Sequence, residues 1–239
     1  MNDVVNTPFP YESEILWGKM LHARVSIVGV GGLGSWAAEL LARMGLGRIR
    51  LLDCATVRET DLKQHMAVTE VDVDRAKVTV VADRLSAINS QILLETFFVE
   101  LTEDSIDDFL VGSDIVLDTT GGSAIRTALF MYCCRRGVQY VSCEANGFCA
   151  QVMVCRGNEG SNALLPAPLL GRQKRLPALV AMAASLSVQE IVKLLTGYGV
   201  SLNGQTAIFN TEKNTWVCTP LKRLTSIGAA TADEKGEAH

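Results

Sequence analysis

No C-x-x-C pair occurs anywhere in this sequence. Its seven cysteines are odd in number and irregularly spaced, at 54, 133, 134, 143, 149, 155 and 218. Such spacing excludes close zinc-ligand pairs, so no structural zinc and no disulfide framework is expected. Histidine is scarce, three in 239 residues, and neither His22 nor His65 stands in a pattern with a nucleophile, so no nucleophile–base pair can be read. Long apolar runs are missing too. The most apolar stretch, LPALVAMAASLSV at 176–188, is too short to span a bilayer before Glu190 and Lys193 interrupt it, and reads as a buried helix. The first fourteen residues lack the basic-then-apolar order of an export signal. The longest basic cluster is RQKR at 172–175, and the net charge is −4. Non-specific binding to nucleic acid or anionic lipid is therefore not expected, and the chain reads as cytoplasmic, its thiols reduced and mostly buried.

What is present is a rhythm. After a leader at 1–23, strand-like and helix-like segments alternate as RVSIVG, a helix at 35–44, RIRLLD at 48–53, and a polar connection at 56–74. A helix at about 75–88 follows, then ILLETFFV, a short helix in EDSIDDFL, the apolar run DIVLD, a helix at 123–136 and VQYVSC. This alternation predicts a doubly wound, Rossmann-like α/β fold, a mainly parallel sheet with helices on both faces. Beyond 146 the pattern changes: GFCAQVMVC, QTAIFN and TWVCT read as antiparallel strands around a late helix at 177–196. Residues 24–221 are expected to form one nucleotide-binding domain, and 222–239 a disordered tail. Cys133 and Cys134 lie in an apolar helix and read as packing residues.

The chemistry gathers where the first strand meets the first helix. Gly29, Gly31 and Gly34 fit G-x-G-x-x-G, and Asp53 follows 19 residues after the last of them. Glycines there let a phosphate approach the backbone, and the helix N-terminus offers unpaired N–H groups and the positive end of its dipole. A carboxylate at the end of the second strand suits ribose hydroxyls, of NAD or of ATP alike; the alternative is a carboxylate that caps a turn. Lys77 opens the helix after the long connection and, taken alone, reads as a solvated lysine. In VLDTTGGSAIR, at 116–126, Asp118 ends a strand facing the same crevice and Arg126 stands one turn into the next helix. This stretch offers no second carboxylate to hold a metal.

Several stretches together resemble the ThiF/MoeB/HesA family, bacterial relatives of ubiquitin-activating enzymes. VSIVGVGGLGSWAAELLARMGLGRIRLLD matches the family's strand–glycine loop–helix–strand, RAKVTVVADRLSAIN its lysine-bearing helix, and VQEIVKLLTG its late helix. The GSWAAELLARMGLGRI portion is similar to the tRNA threonylcarbamoyladenosine dehydratase branch. The resemblance implies ATP rather than NAD, with Gly29, Gly31, Gly32, Gly34, Asp53 and Lys77 at the nucleotide; Asp118 is expected there from its strand end, and Lys77 and Arg126 are expected to supply catalytic charge. It implies attack of a carboxylate on the α-phosphate, the acceptor being the C-terminal glycine of a ubiquitin-like sulfur carrier or a small molecule. It implies a homodimer or a heterodimer with a related subunit, and a magnesium ion that is only weakly held here.

The chain departs from that pattern at specific positions. D-x-D is Asp53-Cys54-Ala55, and N-L-x-R-Q is DLKQH, with Asp61 for the asparagine, Gln64 for the phosphate-binding arginine and His65 for the glutamine. Ser13 stands where the leader arginine is expected, and Gly121-Gly122 where the family has Asp-Asn, the aspartate being the magnesium ligand. Lys77 and Arg126 remain as positive charge, and the basic loop residues Arg172, Lys174 and Arg175 are a further source of it. Three functions follow from these residues: a divergent adenylyltransferase, a nucleotide-binding pseudoenzyme or non-catalytic subunit of an activating heterodimer, and, behind both, an NAD-dependent enzyme.

Overall fold

Five residues of the first apolar run, Arg24–Val28, form β1, flanked on both sides by parallel strands and buried from Val25 onward. The computed structural model describes residues 14–121, 124–157, 165–169 and 175–221. Around β1 lie β2 (Arg48–Leu52), β3 (Leu93–Phe97), β4 (Ile115–Asp118) and β5 (Gln139–Asn146), all parallel. Three further strands, β6 (Cys149–Cys155), β7 (Gln205–Asn210) and β8 (Thr215–Pro220), add antiparallel pairs. Together they make one eight-stranded sheet in the order β3-β2-β1-β4-β5-β6-β7-β8. The parallel and antiparallel segments are thus one continuous sheet, because β5 pairs with β4 on one side and β6 on the other.

The periodicity of the helices sets the two covering layers. On one face α2 (Gly32–Arg43), α3 (Lys77–Ile88) and α6 (Pro177–Thr196) enclose a core built from Ala37, Leu41, Val81, Leu85, Val180, Ala184 and the inward side chains of β1, β2 and β4. On the other face α4 (Ile106–Leu110) and α5 (Ile125–Arg136) bury Leu110, Leu129, Phe130 and Cys133 against Val116, Tyr140 and Met153. Burying side chains of this size stabilises by about 1.5–3 kcal/mol each, which is what holds the helices to the sheet. All four residues of β4 are buried, as its unbroken apolar run predicts for a parallel strand covered on both faces.

Part of the expected leader packs on the domain: Glu14–His22 forms α1, Met20 is buried in the main core, and Lys19 Nζ donates to Thr196 O at 2.8 Å at the end of α6. The expected tail at 222–239 and residues 1–13, including Ser13, lie outside the described residues. Among the described residues α6 alone is long and apolar enough to cross a membrane, and here it packs on α2, β5 and β6.

Candidate functional site

The sheet order reverses beside β1: the chain leaves it for β2 and β3 on one side and returns as β4 on the other. The crevice past the carboxyl ends of β1 and β4 is where an open α/β sheet accommodates a ligand. A cavity of about 540 Å³ opens there, lined by Gly29, Gly31, Asp53, Thr119, Thr120 and Arg175, among others. Its far wall is formed by residues 99–103, including Glu100 and Glu103.

Each glycine of the loop has its own reason. Gly29 has φ +89°, and a Cβ there would meet Thr119 at 3.0–3.3 Å. A Cβ on Gly34 would lie 2.0 Å from Gly29 O, so helix and strand close onto one another only without side chains. Gly32 is buried beneath Gln64 O and Val180, again a packing position. Gly31 differs: as N-cap of α2 it faces the cavity, and a Cβ there would meet nothing within 4 Å. That open position at the head of a twelve-residue helix leaves room for an anion to come against the backbone. Thr119 fastens the arrangement, its Oγ1 donating to Gly29 O at 2.5 Å.

Asp53 serves the loop as well as facing the cavity. Its Oδ2 accepts from Val30 N–H at 2.6 Å and its Oδ1 from Ala55 N–H at 2.8 Å. Each carboxylate oxygen keeps a second lone pair, so both the turn-capping and the ribose-binding readings of this residue are compatible with its geometry.

The other expected site residues are placed differently from the sequence reading. Lys77 is not solvated: it is the first residue of α3, 5% exposed, and its Nζ lies 3.0 Å from Oδ2 of the equally buried Asp61. Burial works against the Asp61 carboxylate, but the Arg58 amide and Lys77 outweigh it and hold its pKa below the ordinary 3.8. Arg126 is buried on α5, 2.8 Å from Glu144 Oε1 and donating to Pro166 O at 3.2 Å. Glu144 in turn accepts from Leu169 N–H through Oε2 at 3.0 Å, so the arginine braces the 165–169 segment. Asp118 does not form the cavity wall. It is buried, its Oδ1 holding Thr120 through N–H and Oγ1, its Oδ2 accepting the Tyr140 hydroxyl at 2.6 Å. Burial, the Asp118 charge and that hydrogen bond push the Tyr140 phenol well above 10, keeping it a proton donor.

The sequence reading also missed contributors. His65 is buried, its Nε2 2.7 Å from Val30 O, so it supports the glycine loop from behind while Asp53 holds the adjoining N–H. Burial and the Lys77 charge lower its pKa from 6.5, outweighing the opposing pull of Val30 O, Asp61 and Asp53. A neutral ring with its proton on Nε2 satisfies this contact. Nothing in DLKQH marks the histidine for this role, because its partner is 35 residues away.

An ATP-sized ligand and a magnesium ion fare differently against this geometry. Glycine loop, helix N-terminus and Asp53 fit a nucleotide. The residues present do not fit a fixed magnesium ion: position 121 bears no carboxylate, Asp118 is buried off the cavity wall, no cluster of three metal-ligating side chains occurs among the described residues, and Arg175 Nη2 comes within 3.1 Å of the point where a Cβ on Gly121 would stand. Gly122, Arg172 and Lys174 lie outside the described residues.

Known proteins resemble this chain in sequence and in fold. The chain is 28% identical over 232 residues to the sulfur carrier protein ThiS adenylyltransferase of Escherichia coli, covering 90% of each chain. It is 31% identical over 206 residues to the molybdopterin-synthase adenylyltransferase of Salmonella typhimurium, covering 79% of each. Its fold superposes on E. coli MccB crystallised with ATP at a TM-score of 0.76 and 19% identity, over 87% of this chain and 67% of that one. The ThiF family model matches residues 16–226. With a glycine loop, a carboxylate after the second strand and a late helix leading into an antiparallel strand pair all in one sheet, the chain belongs to the ThiF family.

Proposed function

We propose that this protein binds ATP in the cavity beyond β1 and β4 and transfers AMP to a carboxylate, releasing pyrophosphate. The observation that carries this reading is Gly31, an open N-cap at the head of α2 facing a cavity whose adjoining wall bears Asp53. The α2 N–H groups and dipole are suited to the phosphates, Asp53 to the ribose hydroxyls. An acceptor carboxylate oxygen attacks the α-phosphorus. The new P–O bond forms as the bond to the β-bridging oxygen breaks, and pyrophosphate leaves with that electron pair. The nucleophile is already an anion, so no general base is needed, and the chain's part is to orient the reactants and stabilise charge.

The acceptor we favour is the C-terminal carboxylate of a small ubiquitin-like sulfur carrier, in keeping with the name of the E. coli relative, a small carboxylic acid being the other candidate. We place the protein in the cytoplasm, in line with seven free cysteines, and as a dimer with itself or a related subunit. Lys77, matched by resemblance to the phosphate-binding lysine, has its charge offset by its bond to Asp61. That bond favours a second reading, a nucleotide-binding subunit without turnover of its own. The NAD-dependent reading loses its ground with the family assignment.

ATP–pyrophosphate exchange in the presence of a purified sulfur carrier ending in glycine separates the two. Carrier-dependent exchange, slower than that of a relative retaining the arginine and aspartate, supports the adenylyltransferase. ATP binding with no exchange, for carriers and small carboxylates alike, supports the non-catalytic subunit.

A further inference from the structure

The cavity poses an electrostatic problem. A triphosphate brings three to four negative charges to walls that already carry Asp53, Glu100 and Glu103. The two cations that sequence reasoning assigned to it are spent elsewhere, Lys77 on Asp61 and Arg126 on Glu144. Among the described lining residues a single basic side chain remains, Arg175. It is exposed, and no hydrogen bond or ion pair ties it to another described residue.

Its position is set by a glycine. Gly121 follows Thr120 in the turn after β4 and has φ +71°, a conformation that side chains rarely adopt. The point where its Cβ would stand lies 3.1 Å from Arg175 Nη2. An aspartate at 121 would thus bring a carboxylate onto the guanidinium and neutralise it. The missing acidic side chain and the free arginine are therefore two halves of one feature: removing the carboxylate leaves the arginine's charge facing the cavity.

We propose that Arg175 is the phosphate-binding cation of this site, its guanidinium doing at the nucleotide's phosphate chain what a carboxylate-held magnesium ion would otherwise do. The inference rests on the ATP reading above and adds to it a metal-independent mode of holding the phosphates. A planar guanidinium suits the task, since it presents parallel N–H donors to two phosphate oxygens, never loses its proton, and sheds water more readily than an ammonium.

Calorimetric titration of the full chain with ATP, AMP and adenosine, each in excess magnesium and again in EDTA, tests it. Arg175 is exposed, so Arg175→Ala is expected to fold as the parent does, and circular dichroism checks this. For the unmodified protein, ATP affinity in EDTA should stay within about threefold of that in magnesium, since the described residues bring no cluster of three metal-ligating side chains together to hold the ion. Arg175→Ala should weaken ATP by about tenfold or more while leaving adenosine unchanged, and Arg175→Lys should recover only part of the loss. Gly121→Asp should weaken ATP in EDTA and make its binding magnesium-dependent. ATP bound equally by Arg175→Ala and the parent, or lost by the parent in EDTA, overturns the arginine's role and leaves the nucleotide site standing. No binding of ATP, AMP or adenosine by the parent overturns both.

Discussion

Lys77 Nζ and Asp61 Oδ2 stand 3.0 Å apart, each side chain more than nine-tenths buried. A lysine matched by resemblance to phosphate binding is thereby neutralised before any nucleotide arrives. Asp61→Asn keeps the size and an acceptor oxygen but removes the charge. We expect it to raise ATP affinity severalfold, with a smaller effect on AMP, and to lower the melting temperature of the free protein, since a buried cation left without its partner is costly. Calorimetry and thermal unfolding with and without ATP check this. A variant of lower stability with unchanged ATP affinity shows that Lys77 is structural only.

Arg126 was expected at the phosphates and is found bracing Glu144 and Pro166. Arg126→Ala leaves a buried carboxylate uncompensated and should cost about 3–5 kcal/mol in chemical denaturation. Adding Glu144→Gln removes that orphaned charge while keeping an acceptor for Leu169 N–H, and should recover a large part of the loss. Non-additivity of this size is the signature of a direct pair. Strict additivity of the two changes would contradict it.

The alternation of strands and helices was legible because it depends on local periodicity, and each expected element appears within a few residues of its reading. The glycine loop was legible for a similar reason: its turn, close packing and open N-cap are all made by neighbours in sequence. What could not be read was how charges pair. Asp61 and Lys77 are 16 residues apart, Arg126 and Glu144 are 18, and Arg175 meets Gly121 from across the site. No pattern of spacing encodes such contacts, since the topology of the sheet brings the partners together. The helix in the supposed leader was overlooked because its short apolar face has meaning only once α6 is in place to receive it.

His65 predicts an acid-sensitive fold. Its pKa is depressed by burial first, then by Lys77, against the pull of Val30 O, Asp61 and Asp53. A group whose folded pKa lies below its unfolded value adds stability above the unfolded value, 6.5, and loses it as pH falls toward the folded one. Stability should therefore begin to decline below about pH 6.5, with further loss below 4.5 as Glu39 and Asp61, both also depressed, take up protons. His65→Gln keeps an N–H for Val30 O and does not titrate. Urea melts at a series of pH values should show the decline setting in as pH falls below 6.5 in the parent and a flatter profile in the variant. Identical slopes would remove His65 as the cause.

The glycines of the loop should separate by role. Gly34→Ala drives a Cβ to 2.0 Å from Gly29 O, a clash with backbone that cannot swing aside, and is expected to prevent stable folding or lower the melting temperature severely. Gly31 has φ −81° and ψ −155°, which alanine adopts, and its Cβ would point into open space. Gly31→Ala should thus fold with a melting temperature within a few degrees of the parent, losing only the close approach of a ligand.

That variant supplies the most direct measurement of the central claim, that this cavity is an ATP site. ATP and NAD are titrated by calorimetry into the parent protein and into Gly31→Ala. The account predicts that the parent binds ATP and prefers it to NAD, and that folded Gly31→Ala loses ATP affinity by about tenfold or more, the methyl group standing where phosphate meets the α2 backbone. NAD bound more tightly than ATP, or ATP bound equally by parent and variant, would contradict it.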